Sequence, residues 1–245
     1  MSTLIQVTEI DPKTVAYLAR LPVPTLAAVL FRKGYEKQFV TGLMPLSTRR
    51  FAGPAYTLRA IPTRPDLRTA VASGTVPNLH RQALREIPAG GVLVADTGRT
   101  TGCSVLGDIL AESLIVRGIA GVVVDGGVAD TQRLAELDLP VVCTGSAPVP
   151  WPGTLYIADL QVPVNLCGVA VFPGDIIVGD ACGVIVIPAA LAAEVAHEAR
   201  EKEEMEIFIL ERIRAGAPLD GTYPPNEAAL ADYAAWREAQ KDKAE

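Results

Sequence analysis

The sequence predicts an α/β fold whose strands are buried on both faces. Three observations carry this. Hydrophobic residues make up 49% of the chain but aromatics only 5%, so the core is built from Ala, Val, Leu and Ile. Gly121-Val122-Val123-Val124 is an unbroken β-branched run, the pattern of a strand covered on both sides. Segments with apolar residues three or four apart flank it, and 245 residues suffice to bury a core of this kind.

In chain order, Asp11-Pro12 reads as a helix cap with a first-turn proline. Pro24-Thr25 opens a second helix that ends at Gly34. Residues 39–43 and 50–61 are short strands broken by Gly and Pro, the second with one exposed face; Arg59 lies on it as surface residue or ligand contact. Residues 62–89 are polar and irregular, with a helix near His80–Glu86 in which His80 is exposed or packs on the helix rather than acting as a base. A strand at 91–96 leads into a loop containing Arg99.

The stretch 102–134 organises the rest. Gly107-Asp108 forms a turn, and a helix follows through Ile109, Leu110, Leu114 and Ile119, closed by Gly118. The strand 121–124 ends in Asp125-Gly126-Gly127, where the glycines are expected to supply conformations forbidden to other residues. A second helix carries Asp130 in its first turn. Two carboxylate-bearing turns thus approach one sheet edge. The amides of Asp108, Ile109 and Leu110 are available to an anion, and Asp108 with Asp130 could hold a divalent cation. The competing reading makes both aspartates ordinary helix N-terminal carboxylates and Asp125 a turn cap.

Residues 140–144 form a strand, followed by a proline-rich loop with Trp151 and strands at 155–160, 162–166, 169–171, 176–178 and 183–187. Pro173-Gly174-Asp175 and Gly179-Asp180 read as turns of a hairpin or meander. One long helix spans 188–215, and its apolar residues Val195, Met205, Phe208, Ile209 and Ile213 require a partner surface. A linker and a final helix from Asn226 to Trp236 complete the chain.

A formal charge of −6 argues against nucleic acid as a partner through a basic surface. The four cysteines, Cys103, Cys143, Cys167 and Cys182, form no closely spaced pair, and with only His80 and His197 no zinc cluster arises by spacing. Nothing near Cys103 would activate it as a nucleophile. The N-terminal sequence lacks a signal-peptide pattern and no apolar run reaches membrane-spanning length, so a cytoplasmic location is expected.

Three groups of residues resemble one family: Gly107-Asp108-Ile109-Leu110-Ala111, the run from Arg117 to Gly127, and Pro173 to Asp180 with Gly183 to Pro188. The chain is similar to the family of the regulator of ribonuclease activity A (RraA) and the class II 4-hydroxy-4-methyl-2-oxoglutarate/4-carboxy-4-hydroxy-2-oxoadipate aldolases. The resemblance implies an αββα sandwich of the swivelling-domain type over residues 1–190. Residues 191–245 would be C-terminal helices packing on the core or on a neighbouring subunit. It further implies a homotrimer or hexamer with sites at subunit interfaces. A Mg2+ or Mn2+ ion would be held mostly through water and anchored by Asp130, with Asp108 as an outer carboxylate. Gly107, Asp108, Ile109 and Leu110 would bind the carboxylate of a 2-oxo acid, and Glu36, Glu203 or Glu204 of an adjacent subunit would complete the site. The implied chemistry is carbon–carbon lyase chemistry, aldol cleavage or oxaloacetate decarboxylation, through a pyruvate enolate.

One position departs from the pattern. The family reads Asp-Gly-x-x-Arg-Asp, and this chain reads Asp125-Gly126-Gly127-Val128-Ala129-Asp130. Loss of one charge-stabilising donor costs about 100- to 1000-fold in rate. Arg133, one turn on, and Arg99 or Arg59 from other loops are the candidate replacements. Besides the aldolase or decarboxylase, a related sugar-acid lyase and a non-catalytic regulator that binds an RNA-degrading enzyme remain as readings.

Overall fold

A computed structural model describes residues 10–241. The chain divides into two compact units, residues 1–196 and 197–245.

The first unit opens with α1 (Pro12–Leu18) and α2 (Val23–Arg32). Asp11 caps α1 by accepting the Lys13 amide at 3.0 Å, as its Asp-Pro sequence predicts. Then follow β1 (Phe39–Val40), β2 (Met44–Pro45), β3 (Phe51–Pro62), α3 (Pro65–Ala72), α4 (Leu79–Glu86) and β4 (Val92–Asp96). The central stretch comprises α5 (Asp108–Val116), β5 (Gly121–Val124), β6 (Gly127–Val128) and α6 (Thr131–Glu136). It is followed by β7 (Val141–Cys143), β8 (Gly145–Ser146), β9 (Leu155–Leu160), β10 (Val164–Leu166), β11 (Val169–Val171), β12 (Ile176–Asp180) and β13 (Gly183–Ile187). The last helices are α7 (Ala192–Arg214) and α8 (Glu227–Lys241).

The nine-stranded sheet has the order β1-β13-β12-β3-β4-β5-β7-β2, with β9 also paired to β3. Its centre, β3-β4-β5-β7, is parallel, and the outer pairings are antiparallel. Alternation along β4 and β5 shows why these strands are apolar throughout. Leu93, Ala95, Val122 and Val124 join a core with Ala83, Leu84 and Ile87 at α4, Ala111 and Leu114 of α5, and Leu134 of α6. Val92, Val94 and Val123 face the other way, into a core with Val164, Leu166, Val169 and Val171 of the β10–β11 hairpin. Full burial of each such side chain is worth about 1.5–3 kcal/mol.

Residues 62–89 are more ordered than their polarity predicts, because α3 forms there with a proline in its first turn and Asp66 beside it. The predicted helix 188–215 is interrupted at its start: residues 189–191 make a single 3-10 turn before α7. The hairpin β12–β13 matches its sequence signature. Asp175 accepts the amides of Phe172 and Ala189, and Asp180 those of Val23 and Cys182, so both are turn formers.

Within the second unit, Phe208, Tyr233 and Trp236 form an aromatic cluster with centroids 5.5–6.0 Å apart. Arg212 pairs with Asp232, Trp236 donates to Glu211 at 2.8 Å, and Arg237 lies 3.4 Å from Glu204. No single described helix is long and apolar enough to cross a membrane.

Candidate active site

Three backbone segments that leave the carboxyl side of the parallel strands are knitted together beside α5. The Ser104 amide donates to the Val149 carbonyl at 2.8 Å, and the Ser104 carbonyl accepts from the Trp151 amide at 3.1 Å. The Ala129 amide donates to Leu106 at 2.8 Å, and the Ala147 amide to Val128 at 2.9 Å. The short parallel pair β6–β8 extends the same connection. These bonds leave little freedom to the turns that carry the site.

The glycines in these turns act through contact rather than through left-handed backbone. Gly107 sits at φ −139°, ψ 179°, an extended conformation open to any residue. What it lacks is room: a Cβ there would lie 2.8 Å from Asp130 Oδ2. A Cβ on Gly126 would collide with Thr97 Oγ1, and one on Gly127 would lie 2.6 Å from the Ala147 methyl. The residue that does take the left-handed conformation is Asp130, at φ 50° and ψ 36°. A non-glycine residue held there is strained, a feature that clusters at functional sites.

Asp130 occupies the N-cap position of α6 without capping it by a side-chain bond. Its carboxylate turns to the start of α5, where Oδ2 accepts the Asp108 amide at 3.3 Å. Asp108 Oδ1 accepts the Ile109 amide at 2.7 Å, and Asp108 Oδ2 lies 3.2 Å from Arg133 Nε. The helix end therefore attracts carboxylates, as its unpaired N–H groups and dipole require. Two of its amides are engaged by the chain's own aspartates, whereas the sequence suggested they were open to a ligand.

These residues border a pocket of about 370 Å³. Gly107, Asp108, Ile109, Leu110, Ala129 and Asp130 line it, together with Asn78, His80 and Arg81 from α4 and its cap and with Trp151. The His80 ring is buried, with Nε2 2.7 Å from the Val105 carbonyl oxygen and its centroid 5.2 Å from that of Trp151. Burial pushes its pKa down, the Arg81 charge adds to this, and the Val105 carbonyl opposes both. Of the two places the sequence leaves open for His80, exposed or packing, the structure takes packing, at the pocket wall.

The three arginines proposed to replace the missing one at position 129 have different fates. Arg59 pairs with Asp159 on β9. Arg99 takes a left-handed turn in which its amide donates to Asp125 at 3.1 Å. Neither lines the pocket. Arg133 does reach back from α6, but to Asp108. Asp125, five residues before Asp130, is buried and spent on structure: it accepts the Thr97 amide at 2.5 Å, the Thr97 hydroxyl at 2.8 Å and the Arg99 amide. Its burial raises its pKa, against those hydrogen bonds. Burial also raises the Cys103 thiol, which leaves it without thiolate character. Glu36 lines a separate pocket with Phe31, Tyr35 and Phe39, and Glu204 is engaged by Arg200 and Arg237 in the second unit.

Among the described residues no three His, Cys, Asp or Glu side chains converge as a ready-made metal cage. The donor set in this pocket is a pair of aspartates, which suits an ion that keeps most of its water and takes one or two carboxylates, as Mg2+ does.

Sequence analysis missed Asn78, Arg81 and Trp151. The one signal available was the Asn cap before Leu79, which fixes where α4 begins and hence which way Arg81 faces.

The architecture and this carboxylate-bordered pocket define an α/β protein with a small-molecule-sized site at the end of a parallel strand. The family model described as RraA-like, Aldolase/RraA, matches residues 23–186, and the chain belongs to that family. A Deinococcus radiodurans protein named "Putative 4-hydroxy-4-methyl-2-oxoglutarate aldolase" is 36% identical over 140 residues, 57% of this chain and 79% of that protein. Protein DlpA of Legionella pneumophila is 31% identical over 73% of this chain, which spans only 28% of DlpA. A Halalkalibacterium halodurans relative with the aldolase name is likewise spanned over only 58% of its length. Among solved structures, an uncharacterized Pseudomonas syringae protein superposes with a TM-score of 0.79 at 25% identity, covering 92% of this chain and all of that one. Streptomyces coelicolor RraAS2, described as an unusual member of the RNase ES inhibitor RraA family, gives 0.72 at 32% identity, covering 82% of this chain and 97% of that one.

Proposed function

We propose that the protein is a divalent-metal-dependent lyase of 2-oxo acids, of the aldolase or oxaloacetate decarboxylase type. The observation that carries this reading is the side chain of Asp130. It sits on a strained backbone and forgoes capping its own helix in favour of the pocket beside Asp108. A structural aspartate would take the opposite arrangement, capping α6 from a relaxed conformation.

A bound Mg2+ or Mn2+ would supply Lewis-acid stabilisation of negative charge developing on the keto oxygen of the substrate. Asp130 would hold the hydrated ion, and Asp108, fixed by Arg133 and by the Ile109 amide, would orient its water. The α5 amides, Leu110 included, place a positive helix end beside the substrate carboxylate. The Asp108–Arg133 pair keeps a guanidinium close to the acidic side of the pocket. Ala129 adds only a methyl group there. Assembly into a trimer or hexamer belongs to the same reading, with Glu36, Glu203 or Glu204 as the donors a neighbouring subunit would contribute. So does a role for residues 191–245 in contacts with the core or a neighbour, and a cytoplasmic location.

The test is pyruvate release from oxaloacetate and from 4-hydroxy-4-methyl-2-oxoglutarate, with Mg2+ and with EDTA, for the native protein and Ala129→Arg. EDTA-sensitive turnover by the native protein supports the proposal. Turnover only in Ala129→Arg would show a chain that binds metal but has left this chemistry. Silence in both would transfer weight to a protein-binding role, the one described for RraAS2's family.

A further inference from the structure

The two carboxylates at the pocket are not equally free. Asp130 Oδ2 accepts the Asp108 amide at 3.3 Å, and Asp130 makes no ion pair among the described residues. Asp108 is committed on both oxygens: Oδ1 accepts the Ile109 amide at 2.7 Å, and Oδ2 lies 3.2 Å from Arg133 Nε. The Asp108 side chain is 20% exposed and that of Arg133 70%, so the pair joins a half-buried carboxylate to a cation that reaches it from the surface.

The backbone holds Arg133 in this place. Leu134, the next residue, is fully buried in the core that also takes Ala111 and Leu114 of α5, and its amide donates to the Asp130 carbonyl at 2.9 Å. Docking α6 on α5 through Leu134 brings Arg133 within reach of Asp108, the first residue of α5. Asp130 and Arg133 are three apart, a spacing that makes side chains neighbours along a helix, yet the guanidinium goes to the carboxylate of the other helix. Arg59 with Asp159 and Arg64 with Asp66 are ion pairs of the same kind, but none of those four residues lines the pocket. Asp108 does.

A charge count follows. Asp108 and Asp130 bring two negative charges to the pocket, and Arg133 cancels one of them. A divalent cation arriving there is attracted by a single net charge and repelled by the guanidinium paired with Asp108. The contact that steadies Asp108 therefore also weakens its pull.

We propose that Arg133 is an internal counter-charge that lowers the affinity of this pocket for a divalent cation, so that the ion exchanges with the solution instead of being retained. This rests on the reading of the Asp108–Asp130 pair as the place of such an ion.

Isothermal titration of MnCl2 into the whole protein, with no organic acid present, reads the dissociation constant for the native chain, Arg133→Gln and Arg133→Lys. The side chain is exposed, so both variants should fold as the native protein does. Arg81, which also lines the pocket, is the same in all three and drops out of the comparison. At low ionic strength Arg133→Gln should bind Mn2+ about tenfold more tightly than the native protein. That advantage should shrink in about 0.5 M NaCl, where salt screens charges more than a few ångströms apart. Arg133→Lys should stay near the native affinity, because its ammonium keeps the charge. Equal or weaker binding by Arg133→Gln, an advantage indifferent to salt, or an Arg133→Lys protein as tight as Arg133→Gln overturns the role of Arg133 while the metal reading stands. Failure of all three proteins to bind Mn2+ overturns both.

Discussion

Asp125 and Asp130 lie five residues apart, at either end of the turn that follows β5, and the structure uses them in opposite ways. Asp125 is buried, and its oxygens accept two amides and a hydroxyl from residues 97–99. Asp130 is exposed, conformationally strained and bonded to one amide at 3.3 Å. The difference teaches how to separate a structural carboxylate from a candidate functional one. The first satisfies the chain's own donors, and the second keeps its oxygens toward a pocket at a cost in backbone energy.

The largest effect should separate the two residues directly. Asp130→Asn is expected to lower metal-dependent turnover by at least about 100-fold, with thermal stability close to native because the side chain is exposed. A variant that unfolds would place Asp130 in the structural class. Asp125→Ala should show the converse. It strands the Thr97 and Arg99 amides and should cost about 2–3 kcal/mol in urea unfolding, so an Asp125→Ala protein of native stability would erase the distinction.

Gly107→Ala sharpens the comparison at lower amplitude. The new methyl would press on Asp130 Oδ2, the movable end of a side chain, while the backbone conformation there accepts alanine. Turnover should fall by about tenfold with a denaturation midpoint near native, and a crystal structure should show the Asp130 carboxylate displaced. Equal loss of activity and stability would argue against a contact effect.

The smallest effect is one of pH. Burial and Arg81 hold the His80 pKa below its ordinary value. The unfolded chain therefore takes up a proton first as pH falls, and the folded state resists it. The contribution of neutral His80 to stability is full above the ordinary histidine pKa and is lost as pH drops through the lowered, folded value. His80→Gln should flatten that part of the stability profile relative to native. An unchanged slope would mean that folding does not hold the His80 pKa below its ordinary value.

Much of the fold was legible because its signals are local. A β-branched run between helical segments marks β5, Asp-Pro marks the start of α1, and Pro-Gly-Asp marks the entry to β12. The α5 start and its aspartate neighbour were legible for the same reason. The role of the glycines was not, because the atoms that exclude a side chain at Gly107 and Gly126 belong to Asp130 and Thr97, each more than twenty residues away. Arg81 was missed because its place at the pocket comes from the packing of α4 beside residues 104–107, which no spacing within α4 reveals.

The sequence by itself determined the α/β class, the doubly buried central strands and the pair of aspartates near one edge, since periodicity and turn chemistry act over a few residues. Only the tertiary structure decided which aspartate serves the chain and which faces the pocket. It also decided that Arg133 is tied to Asp108 and that Arg81 lines the same pocket. Hydrogen-bond partners and pocket walls come from segments distant in sequence, and their assignment exists only once the sheet and its helices have packed.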